Sequence, residues 1–458
     1  MAECAGQSGG VQVSANVVDN QIQRVDTVKI NSFRLINKQR QRSSVTIQKP
    51  VIFSFFSGAG FLDLGFEKNG FDVALVNEIH EPFVEAYRYA RQQMQIPEPR
   101  CGYVVDDIDS LLTPDGLKEI SALAEQVRSS GAPLGFIGGP PCPDFSVGGK
   151  NKGRDGDNGR LSKSYVDLIC AIEPTFFMFE NVKGLWRTVR HRAFFEELKS
   201  QLHKAGYVIT NRLINSIEYG AAQDRDRIIL FGVKRTALIQ QSADEKSLTD
   251  LFDWEKLLKY PGRSAFKNYE WPSTDGEADV KSKFPIGYPE DLTVSYWFKL
   301  NEVEKHPNQL DHFQPRAGLA KFEMLLEGDV SKKSYKRLHR HRYSPTAAYG
   351  NNEVHIHPTK ARRISVAEAL AIQSLPKEFC LPPKMTLTNK FKTIGNGVPF
   401  LAAQGLAQTI KRFLEEHTRE VDSGKPGQSS GQTIETKVVR IHQRALWDES
   451  AGRQRRTA

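Results

Sequence analysis

Short apolar runs recur along the first half of the chain, and most of them end in glycine or a carboxylate. Val51-Ile52-Phe53-Ser54-Phe55-Phe56 stops at Ser57-Gly58-Ala59-Gly60, the pattern of a buried strand followed by a glycine turn. Phe61, Leu62, Leu64, Gly65 and Phe66 then predict a helix that closes at Asn69-Gly70. Residues 71–78 predict a second strand with Glu78 at its end, and further strand ends fall within 103–107, 134–139 and 175–180. Residues 227–233 predict a late strand, and helical stretches at 113–128, 162–172 and 192–205 lie between the runs. This alternation predicts an α/β fold: a Rossmann-like, mostly parallel sheet with helices on both faces.

The pattern also divides the chain. Residues 1–48 are polar and aperiodic and read as a flexible arm. Residues 49–235 carry the alternation. From 236 to 361 it breaks down into scattered Pro, Gly, Lys and aromatic residues, which predicts a second, smaller and irregular domain. Residues 362–416 resume helical periodicity, with Ser365 and Glu368 at capping-box spacing and a long amphipathic helix over 400–416. The stretch from 417 to 458 is Ser-, Gly- and Gln-rich with late arginines, and reads as a disordered basic tail.

Composition narrows the class. Hydrophobic residues make up 39% and charged residues 26%, a globular balance. No apolar run approaches the ~18 residues that a membrane span needs, and the first residues lack the basic start and apolar core of a secretory signal. The five cysteines are widely spaced without a CxxC pair, which fits a reducing compartment and argues against a disulfide framework or a zinc site. Lys and Arg total 63 against 54 Asp and Glu, and this excess suits a polyanionic partner.

In an open parallel sheet, ligands bind beyond the carboxyl ends of the strands. Gly58 and Gly60 there would let backbone approach a ligand and leave helix N-terminal N–H groups available. Glu78 can accept both hydroxyls of a ribose. Asp107 can accept from an adenine amino group, or simply cap the helical turn at 108–112. Together these positions describe a nucleoside-containing cofactor without separating NAD from S-adenosyl-L-methionine. Gly138-Gly139-Pro140-Pro141-Cys142-Pro143 holds a thiol on a stiffened loop, either as a nucleophile or as a small buried apolar group. A free thiol is only a few per cent thiolate at neutral pH, so a nucleophile would need a nearby cation or helix terminus. Glu180 ends an apolar strand, and a half-buried acid there could stay protonated and donate. Gln223, Arg225 and Arg227 alternate at strand spacing, so all three are expected on one face, suited to a phosphate, a carboxylate or a base oxygen. A surface ion-pair lattice with Asp224 and Asp226 is the other reading.

The ordered set FSFFSGAGFLDLGF, Glu78, Asp107-Ile108, GGPPCPDFS, FENVKG, QDRDR, RRISVAEALAIQSLP and GNGVP resembles the cytosine-5 DNA methyltransferases of bacterial restriction–modification systems. The resemblance covers about 50–235 and 362–400. It implies that Phe56, Ser57, Gly58, Ala59, Gly60, Glu78, Ile79, Asp107, Ile108, Pro141, Asn396 and Val398 hold S-adenosyl-L-methionine. It implies that Cys142 is the nucleophile, that Glu180 bonds N3 and the amine of the target cytosine, and that Arg227, supported by Arg225 and Gln223, holds the base carbonyl. Residues 236–361 would be the target recognition domain, and the late helix would return to the catalytic domain. Four positions depart from the family pattern: Pro143 replaces Gln, Ala222 replaces Pro, Ser54 replaces Asp and Phe61 replaces Gly.

The implied partner is double-stranded DNA, with the target base flipped out of the stack. The glycine-rich, basic stretch 148–160 is expected to close over it. Ser146, Lys150, Lys152, Arg154, Gln223, Lys336, Arg337, Arg340 and Arg342 are the expected DNA contacts. His339, His341, His355 and His357 lack carboxylate or Cys partners at ligand spacing and read as polar surface, so no metal is expected. A prokaryotic, cytoplasmic, nucleoid-associated monomer with a cognate restriction endonuclease completes the expectation. An RNA cytosine methyltransferase, a non-catalytic DNA-binding protein and an NAD dehydrogenase remain as rivals, the last accounting for the first glycine loop alone.

Overall fold

A computed structural model describes residues 48–419 apart from 142–156, 188, 273, 275–286, 316–318, 333, 348 and 350–353. The apolar runs become strands because both of their faces are covered, as parallel sheets require. In chain order the first elements are β1 (Val51–Phe55), α1 (Phe61–Glu67), β2 (Asp72–Asn77), α2 (Glu81–Gln93), β3 (Tyr103–Val104), α3 (Pro114–Ser129) and β4 (Leu134–Gly138). They continue with α4 (Asp157–Ile172), β5 (Phe176–Val182), α5 (Val189–Lys204), β6 (Tyr207–Asn215), β7 (Gln223–Asp224) and β8 (Asp226–Lys234). The 7-stranded sheet has the order β3-β2-β1-β4-β5-β8-β6. β1 to β5 run parallel, and β8 runs antiparallel to both β5 and β6.

The order reverses between β1 and β4, the switch point where a ligand crevice opens at the strand ends. The reversed β8 has a direct consequence. Its first residues, not its last, lie at the edge where β5 ends, so Arg227 pairs with Val182 in the ladder. The sequence pattern showed this strand but not its direction.

Two hydrophobic cores sandwich the sheet. One is built from α3, α4 and α5, through Ile120, Ala124, Val127, Tyr165, Ile169, Phe195 and Leu202. The other takes Leu62 and Phe66 of α1, Tyr87 of α2, and two later helices, α6 (Glu245–Phe252) and the C-terminal Phe400–His417. The C-terminal helix lies so close on α1 that a Cβ on Gly65 would come within 2.6 Å of Ala403. Among the described residues, the last helix therefore completes the layer begun by α1.

The irregular segment is stitched to this frame at several points. α7 (Val294–Leu300) places Val294 in a third core and Trp297 in a fourth, both shared with the helix at 366–372. Short strands follow: β9 (Tyr335–Arg337), β10 (Ser344–Pro345) and β11 (Val354–Ile356), with β9 and β11 paired and β10 pairing with β7. The last helices are α8 (Val366–Ile372), α9 (Leu387–Asn396) and α10 (Phe400–His417). Ser365 and Glu368 form the expected capping box at the start of α8. Among the described residues no helix is long and apolar enough to cross a membrane.

Candidate active site

The strand-end loop after β1 is bent by three residues with positive φ, Phe56 (55°), Gly58 (56°) and Gly60 (77°). Its N–H groups are already engaged. Ser57 donates to Asn77 O, Gly58 to Glu78 Oε2 (2.9 Å), Ala59 to Thr393 Oγ1 (3.2 Å) and Gly60 to Ser57 O. These N–H groups are spent within the fold, and the loop is a wall of the crevice, held by Glu78 just past β2 and Thr393 of α9. A Cβ on Gly58 would meet only Thr393 Oγ1, at 3.6 Å, whereas one on Gly60 would strike Tyr87 at 2.3 Å. Gly60 is therefore required by what lies beneath it.

Glu78 is buried, and each of its carboxylate oxygens accepts one N–H, Oε2 from Gly58 and Oε1 from His80. A carboxylate has about four acceptor sites, so capacity for a diol remains. Asp107 caps the turn at 108–112 by accepting from Asp109 N (3.0 Å), and its second oxygen pairs with Arg160 (3.1 Å). Ile108 is buried beside it, while Ile79 (54% exposed) and Val105 (47% exposed) stand out at the ends of β2 and β3. Two exposed apolar side chains beside two strand-end acids suit a purine ring and a ribose. Pro141 and Asn396 are exposed, and Val398 is buried under the late turn. A Cβ on Gly397 would come within 2.2 Å of Phe61, whose ring also packs edge-on to Phe379 at 5.0 Å. The aromatic residue at position 61 is thus accommodated by a glycine in the turn it faces.

At the neighbouring edge Glu180, 7% exposed, pairs with Arg227, Nε to Oε1 at 2.8 Å. The pair forms because Glu180 and Arg227 sit diagonally on one face of the β5–β8 ladder. Arg227 Nη1 also donates to the carbonyl of Asp226 (2.7 Å). Gly139 closes on the same carboxylate, since a Cβ there would lie 2.6 Å from Glu180 Oε2. Asn181 Nδ2 reaches the carbonyl of Pro140 (3.4 Å) and ties the Gly-Gly-Pro-Pro turn to β5. Cys142, Ser146, Lys150, Lys152 and Arg154 lie outside the described residues, as does most of the basic loop.

Asp224 and Asp226 both accept from Asn215 Nδ2 (2.7 and 2.9 Å), so the residues that alternate with them share the other side, Gln223 and Arg225 deeper than Arg227. Gln223 and Arg225 are buried. Gln223 accepts from Ala347 N (3.2 Å) and donates to Gln373 (3.3 Å), so it is not a surface DNA contact. Arg225 donates to the carbonyls of Ala347 (3.1 Å), Gly395 (2.9 Å) and Asn396 (3.3 Å). Burial pushes its pKa well below the ordinary arginine range, with Arg227 adding to the effect. Arg225 thus ties the stretch after β10 and the end of α9 to the strand carrying Arg227. The proposed lattice with Asp224 and Asp226 is absent among the described residues: Asp226 pairs with Lys183 and Arg263, and Asp224 accepts from Asn215.

The basic stretch of the irregular segment is also largely spent internally. Arg337 donates to the carbonyls of Pro358, Phe322 and Leu325, and Arg340 makes a bidentate pair with Glu327. Arg342 reaches the carbonyl of Pro272 (3.2 Å), and Lys336 is half-buried in β9. Arg337 and Arg340 thus brace the fold, against the expectation of DNA contact. The histidines are corrected too: His339, His355 and His357 are buried, not polar surface. Burial lowers the pKa of His355 to about 3 and that of His357 to about 4. Among the described residues no group of three His, Cys, Asp or Glu could hold a metal ion. Thr393, Asn181 and Gly139 escaped the sequence reading as site residues, although each lies inside or beside a motif it quoted.

The sheet order, the strand-end crevice and the acid–guanidinium pair define an α/β enzyme whose polar groups gather at the carboxyl ends of its parallel strands. The chain belongs to the C-5 cytosine-specific DNA methylase family, which matches residues 51–412. Its reaction is methyl transfer to carbon 5 of cytosine in DNA. Among its relatives is the Type II methyltransferase M.NmeDI of Neisseria meningitidis serogroup C, 60% identical over 370 residues that cover 81% of this chain and 85% of the relative. The Type II methyltransferase M.FnuDI of Fusobacterium nucleatum is 26% identical over 375 residues, covering 80% and 95%. A solved structure of an E. coli prophage protein, described as a DNA modification methyltransferase, shares the fold. Its TM-score is 0.53 at 22% identity, over 80% of this chain and all of that one.

Proposed function

We propose that the protein methylates a specific duplex DNA site through covalent catalysis by Cys142, with S-adenosyl-L-methionine as methyl donor. The observation that carries this reading is the Glu180–Arg227 pair, 2.8 Å apart at the strand edge beside the Gly-Gly-Pro-Pro turn that leads into Cys142. Glu78, Asp107, Ile79 and Val105 would hold the donor, whose sulfonium supplies an electrophilic methyl group. Carbon 5 of cytosine is a poor nucleophile until a thiolate adds to carbon 6, which splits one hard step into two. The addition places negative charge on the ring at N3. Glu180 is the group that donates there, and Arg227 holds the base carbonyl and aims the carboxyl group. After transfer water takes the proton from carbon 5, its bonding pair re-forms the 5,6 double bond, the bond from carbon 6 to sulfur breaks to release the thiolate, and N3 returns its proton to Glu180.

None of these groups can reach a base stacked in a duplex, so the target must leave the helix. Residues 236–361 are the segment left to read sequence, with β10 fastening it to the strand that precedes Arg225. The Type II relatives support a restriction–modification role with a cognate endonuclease, and a cytoplasmic monomer acting on the nucleoid fits that role. Incubating the purified protein with labelled S-adenosylmethionine and either duplex DNA or tRNA, followed by bisulfite sequencing, tests the proposal. Methyl groups at one cytosine of a recurring duplex site are expected. Label on tRNA alone, or on no nucleic acid, would overturn it.

A further inference from the structure

We infer that Arg91, a fully buried residue of α2 outside every motif of the site, is the positioning residue that holds the cofactor loop in its bent form and so sets affinity for the methyl donor. The inference rests on the reading of the crevice as the S-adenosylmethionine site.

The loop from Phe56 to Gly60 is not a conformation the chain adopts unaided. Phe56 is a bulky residue at φ 55°, in the left-handed region that side chains avoid, and two glycines at positive φ follow within four positions. Such a backbone persists only where its surroundings over-determine it. From the crevice side Glu78 and Thr393 take two of its N–H groups. From beneath, only Arg91 among the described side chains takes its carbonyls. Nη2 donates to Gly60 O (2.7 Å) and Nη1 to Ala59 O (3.4 Å). Gly60 O accepts from Leu64 N as well, so the same atom anchors the first turn of α1.

Arg91 is itself fixed. Its Nε donates to Glu67 Oε2 (3.0 Å), and its guanidinium lies 4.1 Å over the ring of Tyr87, whose hydroxyl donates to Glu67 (3.3 Å). Below the loop, Asp63 is completely buried and accepts from Ser54 Oγ (2.8 Å). The arrangement explains why position 60 must be glycine: an added Cβ would lie 2.8 Å from Arg91 Nη2. A structural filler would need neither the fork of donors nor two consecutive carbonyls. A planar guanidinium with several fixed N–H groups supplies both, and an ammonium cannot.

Steady-state kinetics on the full chain, with each substrate varied in turn, tests this. Arg91→Gln should raise KM for S-adenosylmethionine, and the Kd for S-adenosylhomocysteine measured by calorimetry, by roughly tenfold or more, while KM for duplex DNA stays within about twofold. Arg91→Lys keeps the charge but not the fork, and should fall between the parent and Arg91→Gln. A folded Arg91→Gln protein with parental cofactor KM, beside a parent that binds the cofactor, overturns the inference alone. A parent that binds no S-adenosylmethionine overturns it together with the reading beneath it. If Arg91→Gln does not fold, Glu67→Gln carries the test, because it leaves Arg91 in place but slackens its tether. A smaller rise in the same KM is expected there, and no rise in the folded variant overturns the inference.

Discussion

Arg227 Nε lies 2.8 Å from Glu180 Oε1, across the antiparallel pair β5 and β8, where the parallel part of the main sheet ends. In the proposed mechanism this pair is where the ring receives its proton. Glu180→Gln keeps the shape and a donor but cannot supply a proton to the ring. It should lower kcat by about 10²–10³-fold, the usual range for a lost acid or charge stabiliser, with DNA affinity nearly unchanged. Single-turnover methylation beside a DNA-binding titration checks this. A variant within about threefold of parental kcat would contradict the role.

Gly139 has no room for a methyl group, because Glu180 Oε2 would stand 2.6 Å from it. Gly139→Ala should push the carboxyl group aside without unfolding the protein, since its own φ is not in the left-handed region. A displacement near 1 Å at a reacting group costs up to about 10²-fold. The expected outcome is therefore a fall of 10- to 100-fold in kcat, with thermal stability within about 1 kcal/mol of the parent.

Arg225 binds three backbone carbonyls, one in the irregular segment and two at the end of α9. Arg225→Lys keeps one charge but cannot reach all three acceptors. KM values for DNA and for the methyl donor should rise together, in contrast to the selective effect expected at Arg91. A change in only one of the two would show that the three carbonyls do not act as one joint.

His355 is buried to 2% exposure, and no described group hydrogen-bonds either ring nitrogen. Burial, with Lys336 nearby, lowers its pKa from the ordinary 6.5 to about 3. The folded state thus binds the proton more weakly than the unfolded chain. Stability carried by the neutral ring is complete above pH 6.5 and is lost as pH falls toward 3, by a few kcal/mol in all. His355→Phe removes the titration and should gain on the parent as pH drops from 7.5 to 4.5. Denaturant melts at both pH values check it, and parallel losses in the two proteins would contradict it.

The strands nearest the crevice were legible because a strand buried on both faces must be apolar throughout, as Ile52, Phe53, Phe136 and Phe177 are. β6 escaped because YVITNRLIN mixes Thr, Asn and Arg into an edge strand. α2 escaped because its buried stripe includes Arg91, a charge whose partner Glu67 is far off in sequence. The same cause misled the reading of Arg337 and Arg340. A run of Lys and Arg looks like a DNA-facing surface until its acceptors, Glu327 and the carbonyls of Phe322, Leu325 and Pro358, come from other segments. Local pattern finds what faces the sheet; it cannot find which distant group neutralises a buried cation.

Duplex DNA carrying 5-fluorocytosine at the target position tests the covalent step most directly, because fluorine cannot leave carbon 5 as a proton does and the sulfur cannot then depart. With S-adenosylmethionine present, the parent should form a denaturant-resistant adduct whose peptide mass maps to Cys142, and Cys142→Ala should form none while still binding DNA. An adduct on another residue, or methylation by Cys142→Ala, would contradict the account.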